Sequence, residues 1–185
     1  MPFEFQPRLR GALLELRPLR ATDFGELFAV ASDPLLWQGH PQRDRYQPEV
    51  FRGFFADALA SGGALLAIDV GTQLTVGSSR YHNYSAAADE VEIGWSFLAR
   101  SHWGGRYNWE LKRLMLEHAF RFVSTVVFLV GQDNLRSQRA LEKIGALRTA
   151  ARRDALGTER VCFQMSAARW EAVRSARATA APPVP

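Results

Sequence analysis

Glu92 is the residue whose type and setting best suit taking a proton. It lies in Val91-Glu-Ile-Gly-Trp-Ser-Phe-Leu98, where Val91, Ile93, Trp95 and Phe97 alternate to one face and Glu92, Gly94, Ser96 and Leu98 to the other. A carboxylate opposite so apolar a face, in a half-buried cleft, can have its pKa raised into the range of a general base acting through water. A strand glutamate paired with an arginine would look the same in sequence. Glu90 and His82 are rivals on the adjacent connection, and His82 has the better intrinsic pKa. A second chemical feature follows the strand. Gly104-Gly105 immediately precedes a helical pattern, and such a joint leaves free N–H groups facing outward at the positive end of a helix dipole, an anion cradle or simply a tight turn. The four histidines (40, 82, 102 and 118) share no i, i+4 spacing, which predicts no metal site. Cys162, between Val161 and Phe163 in an alternating apolar context, reads as a buried inert thiol.

These groups need elements to hold them. From about Arg106 the period changes: Leu111, Leu114, Met115, His118 and Phe122 form one stripe of an amphipathic helix. Upstream, Leu13–Arg20 reads as a first strand, Ala21–Ser32 as a short helix and Pro48–Ala60 as a second helix stopped by Ser61-Gly62-Gly63. The segment between Pro34 and Pro48 is too polar and irregular for a regular element. Ala64–Val70 and Leu74–Tyr81 read as a hairpin around Gly71-Thr72, and a turn or bulged connection then delivers the chain into the Glu92 strand. After the central helix, Val126–Gly131 is apolar enough for a strand buried on both faces. A helix from about Asn134 to Gly145 and a closing hairpin over 147–167 complete the pattern.

With 185 residues and 47% hydrophobic content the chain can bury one ordinary core and no second. The expected organisation is a single domain over 1–170 with a Pro- and Ala-rich disordered tail over 171–185. No apolar run approaches a membrane span and the N-terminus lacks a signal-peptide pattern, so a cytoplasmic protein without a membrane partner is expected. The net charge is +4 and the basic residues are almost all arginine, with lysine only at 112 and 143. An arginine-rich surface suits polyanions, but the charges are scattered without a run, so nucleic-acid binding is the weaker inference.

The Glu92-Ile-Gly-Trp95 strand, then His102-Trp-Gly-Gly-Arg-Tyr-Asn-Trp-Glu110 opening a helix, resembles the central motif of the GNAT superfamily of acetyl-CoA-dependent N-acetyltransferases. Asn134-Leu-Arg-Ser137 with Glu142-Lys-Ile-Gly145 resembles the family's later segment, in the form found in the RimJ/RimL-type branch of ribosomal-protein N-terminal acetyltransferases. The resemblance covers roughly residues 12–167. It implies an α/β (α+β) fold: a mixed, mostly antiparallel sheet of about seven strands flanked by about four helices, with a splayed strand pair holding the cofactor. It also implies acetyl transfer to a primary amine, whether a protein or peptide α-amine or a small-molecule amine, by direct attack in a ternary complex. A non-catalytic CoA-binding or RNA-associated module is the alternative, and the chain could work as a monomer or a homodimer.

Site roles follow from the same resemblance. Glu92 is the expected base. Free backbone groups of Phe97, Leu98 and Ala99 would bind pantetheine and supply an oxyanion donor. The phosphate loop falls on Trp103, Gly104, Gly105, Arg106, Tyr107 and Asn108, with Arg106 and Asn108 standing where the family pattern has small residues. The tyrosine that serves many relatives as acid is replaced by Leu141, and Ser137 takes that role in the branch resembled. Its plainer reading is a helix serine bonded to a carbonyl one turn earlier. Asn134 would cap its helix, contact pantetheine, or both. The region between the first two helices would contribute to the acceptor pocket. An α-amine, with a pKa near 8 against about 10.4 for lysine, asks less of a weak base.

Overall fold

The computed structural model describes residues 2–154 and 156–180, which hold eight strands and five helices. In chain order the elements are β1 (Leu9–Arg10), β2 (Leu14–Pro18), α1 (Phe24–Ala31), α2 (Pro48–Ala60), β3 (Ala64–Asp69), β4 (Thr75–Ser85) and β5 (Glu90–Leu98). Then come α3 (Arg106–Ala119), β6 (Thr125–Val130), α4 (Leu135–Lys143), β7 (Leu147–Arg153), β8 (Glu159–Ser166) and α5 (Ala167–Ala180). The strands form one sheet in the order β1-β2-β3-β4-β5-β6-β8-β7, antiparallel throughout except for the parallel pair β5–β6. A parallel neighbour requires a crossover, and α3 provides it.

The sheet separates two cores, and β3 shows the division residue by residue. Leu65 and Ala67 join the cluster built around Leu111, Met115 and Leu116 of α3, whereas Ala64 and Leu66 join the aromatic cluster of α1 and α2 around Phe51, Phe54 and Phe55. Both sides of the central strands are therefore covered, which explains their near-continuous burial.

Three sequence expectations change. β1 precedes the expected first strand and brings the sheet from about seven strands to eight. β4 runs to Ser85, beyond the expected end at Tyr81, so the connection into β5 is shorter. The stretch 171–180, expected in a disordered tail, continues α5. Trp170 at its start is buried against Trp109 of α3, ring centroids 5.2 Å apart, and Val173 one turn on packs over Gly145. The prolines that suggested disorder stand at 182, 183 and 185, and the last five residues of the expected tail lie outside the described residues. α5 makes a fifth helix where about four were expected.

The central helix is also tied to the start of the chain. Glu110, buried on α3, accepts hydrogen bonds from the amides of Leu13 at 2.6 Å and Leu14 at 3.0 Å. Charge-assisted bonds of this kind are about twice as strong as neutral ones, and a buried amide that loses its partner bears the full desolvation cost. Glu110→Ala should therefore lower stability by about 2–4 kcal/mol, read as a lower urea midpoint at an unchanged m-value.

Candidate active site

β5 is paired along most of its length with β4, but with β6 only from Glu90 to Glu92, opposite Thr125 to Val127. β6 continues beside β8, so the two strands part after Glu92 and the β5 backbone from Ile93 to Phe97 faces a gap. A cleft of about 670 Å³ opens there, reaching from the loop after α1 to the start of α4.

The local cause of the shape is a bulge. Ser78 is opposite Phe97 and Arg80 is opposite Gly94, so two steps on β4 match three on β5. Trp95 absorbs the extra residue with φ of +50°. The alternation is thereby inverted. Val91 and Ile93 face the α3 core, while Trp95 and Phe97 face the aromatic cluster of α1 and α2. The simple alternation that placed all four on one face is thus corrected. Glu92, set against Trp95 and Phe97 by that alternation, shares their side and lines the same cleft.

Glu92 is 6% exposed. Burial raises its pKa, and a hydrogen bond donated by Asn83 Nδ2 at 2.8 Å opposes the rise. His82 stands directly across from Glu92, its ring edge-on to Trp95 at 5.1 Å. Burial, and then the nearby Arg80 charge, lower its pKa and keep it neutral at pH 7. Glu90 does not line the cleft; its carboxylate accepts from Arg152 at 2.7 Å.

The expected phosphate loop lies where β5 leads into α3. Gly104 has φ of +86°, a conformation that disfavours side chains, and Gly105 occupies the N-cap with no side-chain cap. Among the described residues nothing accepts from the amides of 104–108, and added Cβ atoms on either glycine would meet only open space. Arg106 is exposed, Asn108 lines the cleft, and the Tyr107 hydroxyl donates to Asp69 at 2.6 Å. The guanidinium of Arg136 stacks on Trp103, 3.9 Å from the ring centroid.

Two of the expected backbone contacts are occupied. The Ala99 amide donates to Val76 at 2.7 Å and the Leu98 carbonyl accepts from the Trp103 indole at 2.8 Å. Beyond Glu92, the β5 residues that line the cleft are Ile93 to Phe97. On the far wall, Asn134 caps α4 by accepting from the Ser137 amide at 3.2 Å, and Ser137 lines the cleft beside Leu141. The Ser137 hydroxyl has no partner among the described residues, so the bond back to a carbonyl is not made.

Sequence reasoning missed five cations in this cleft: Arg45, Arg80, Lys112, Arg136 and Arg160. Lys112 is 5% exposed, with Nζ donating to the Ser96 hydroxyl at 2.6 Å and lying over Phe128. Burial lowers its pKa to about 7. The available signal was composition, since it is one of two lysines in an arginine-rich chain and follows Leu111 of the apolar stripe.

The family model for the acetyltransferase (GNAT) domain matches residues 14–147. No curated protein sequence matches the chain. Its fold is similar to that of a GCN5-related N-acetyltransferase from Brucella melitensis, with TM-score 0.83 and 20% identity over 98% of this chain and 88% of that one. It is similar to the GNAT-family acetyltransferase from Bacillus anthracis, with TM-score 0.69 and 18% identity over 86% of this chain and 98% of that one. Mycobacterium smegmatis RimJ in complex with CoA-disulfide is similar at TM-score 0.66 and 17% identity, over 93% of this chain and 91% of that one.

The folded pKa of Lys112 lies below its unfolded value near 10.4, so its penalty is absent above that value, grows as pH falls toward 7 and is constant below. Lys112→Met should raise stability at pH 7 by about 1–3 kcal/mol, and the gain should shrink in melts taken between pH 7 and 10.

Proposed function

The chain belongs to the acetyltransferase (GNAT) family, and from that premise we propose that it moves an acetyl group from acetyl-CoA to a primary amine by direct attack in a ternary complex. The acceptor amine is an α-amine of a peptide or protein, or a small-molecule amine. The observation that carries the reading is the parting of β5 and β6 after Glu92, because unpaired strand backbone beside an uncapped helix start suits an extended ligand with an anionic end. Acetyl-CoA supplies the activated acyl thioester. The amides of residues 104–108 and the Arg106 side chain would hold its phosphates, Trp103, Asn108 and Asn134 would flank it, and the Ile93–Phe97 edge would take up its amide groups.

Glu92 acts as the base. Its raised pKa favours accepting a proton, and its place across from His82 lets either group pass that proton to solvent. Ser137 donates a proton to the departing thiolate from the free hydroxyl on the far wall. A backbone amide of the bulged segment serves the developing oxyanion, a role no side chain need fill.

Acetyl-CoA should raise the melting temperature; at 100 times Kd the stabilisation is about 2.7 kcal/mol, and no shift at millimolar acetyl-CoA would overturn the reading. Glu92 must be ionised to work, so wild-type kcat should fall as pH drops through its raised pKa. Glu92→Gln should lower kcat by about 10²-fold near pH 7, with most of the loss recovered at high pH where the amine is already neutral. Ser137→Ala should lower kcat at every pH, and less for thioesters whose thiol is more acidic. Wild-type pH profiles in both variants would leave positioning and the backbone donor as the whole of catalysis.

A further inference from the structure

Arg45 and Arg80 reach the cleft from separate parts of the chain, one from the loop between Trp37 and α2, the other from the middle of β4. They are 8% and 5% exposed. Both guanidiniums lie over the ring of Phe54, at 4.5 and 5.9 Å from its centroid. Arg45 also sits 5.4 Å from the Trp37 ring and Arg80 4.6 Å from that of Trp95. The Nε atoms of both are buried without a hydrogen-bond partner. Among the described residues Arg45 donates to the Gln42 side chain, while the Arg80 guanidinium donates to none, and neither forms a salt bridge. The carboxylates that face them are Asp44 and Asp57, both exposed, and Glu92, already bonded to Asn83. Aromatic faces offset part of the cost of burying a cation, but two unpaired guanidiniums in one wall still require an anion.

His40 adds a third donor. The Gln42 amide donates to its Nδ1 at 3.0 Å, which assigns the ring proton to Nε2. Nε2 faces Arg45 Nη1 at 3.3 Å, so two N–H groups meet with no acceptor between them. Burial holds this ring neutral, with a pKa of about 4.

We propose that the acceptor amine carries a carboxylate, and that Arg45, Arg80 and His40 form its seat; this rests on the acetyl transfer proposed above. Arg80 and His82 lie on one face of β4, and His82 is opposite Glu92. The seat is therefore one side-chain repeat, ~7 Å, from the base. That separation suits the amine and carboxylate of one small molecule, or the terminal amine and acidic first side chain of a peptide. The phosphates of acetyl-CoA do not account for the arginines. Their expected site is the start of α3, which packs on the other face of the sheet from Phe54.

The test is an acetylation assay with acetyl-CoA on free amino acids, their C-terminal amides, and dipeptide amides beginning with Asp, Glu, Asn or Gln. Carboxylate-bearing acceptors should exceed their amide counterparts by about 10²-fold in kcat/KM. Preference for free amino acids identifies an α-carboxylate, and preference for Asp- or Glu-initiated dipeptide amides identifies an acidic first residue. Arg80→Gln should remove most of this preference, about 30-fold, chiefly through KM for the acceptor and with the Kd of acetyl-CoA unchanged; Arg80→Lys should restore part. Should Arg80→Gln fail to fold, Arg45→Gln in the loop makes the same test. Equal rates on acid and amide, or a preference that survives both variants, would overturn the seat. Failure of acetyl-CoA to shift the melt would strike the acyl-transfer reading instead. The seat is then judged by binding, as it is if no acceptor turns over: millimolar free amino acids or acidic dipeptide amides should stabilise the wild type and not Arg80→Gln, and no such stabilisation overturns it.

Discussion

The structure depends on one strand that is satisfied on one side and abandoned on the other. β5 has β4 along one edge, but its parallel partner leaves after Glu92. Peptide groups left in that position must be hydrated or bonded to something, since an unmet buried amide or carbonyl costs as much as a lost hydrogen bond. A fully paired sheet would have no cleft here. Covering both faces of the sheet with helices stabilises the fold around the gap without closing it.

The bulge at Trp95 decides what the gap contains. One inserted residue hands Trp95 and Phe97 to the aromatic cluster of α1 and α2, leaving Val91 and Ile93 in the core beneath α3. It also sets Ser96 where the Lys112 amine can reach it. A left-handed tryptophan is strained, and such strain persists only where the surroundings over-determine it. Here Arg80 stacked on one face and His82 against the ring supply that constraint. The arrangement assembles polar chemistry on a strand whose sequence reads as an ordinary amphipathic one.

The elements were legible because their signals are local. Pro48–Ala60 was read to its observed limits from an N-terminal proline and a Ser-Gly-Gly stop, and Gly104-Gly105 marked the start of α3. The family resemblance rested on equally local motifs, and Glu92 and Ser137 both reached the cleft it implied. Features that need a partner from elsewhere were not legible. The bulge exists only relative to β4, and its effect was to reverse a correctly recognised alternation. The Leu98 carbonyl and the Ala99 amide are taken by Trp103 and Val76, contacts that strand periodicity does not encode. Arg45 and Arg80 are two arginines among many until folding brings both onto the ring of Phe54.

β7 closes the sheet as an outer strand, Leu-Arg-Thr-Ala-Ala-Arg-Arg, with nearly every residue exposed. An open strand edge is a template for another chain, and self-association through it is a standing hazard of β-proteins. Here a second copy adding itself to that edge would bring Arg148, Arg152 and Arg153 against their own equivalents, with Arg152 alone neutralised by Glu90. The cationic excess that first suggested a surface for polyanions thus also opposes the pairing of one such edge with another.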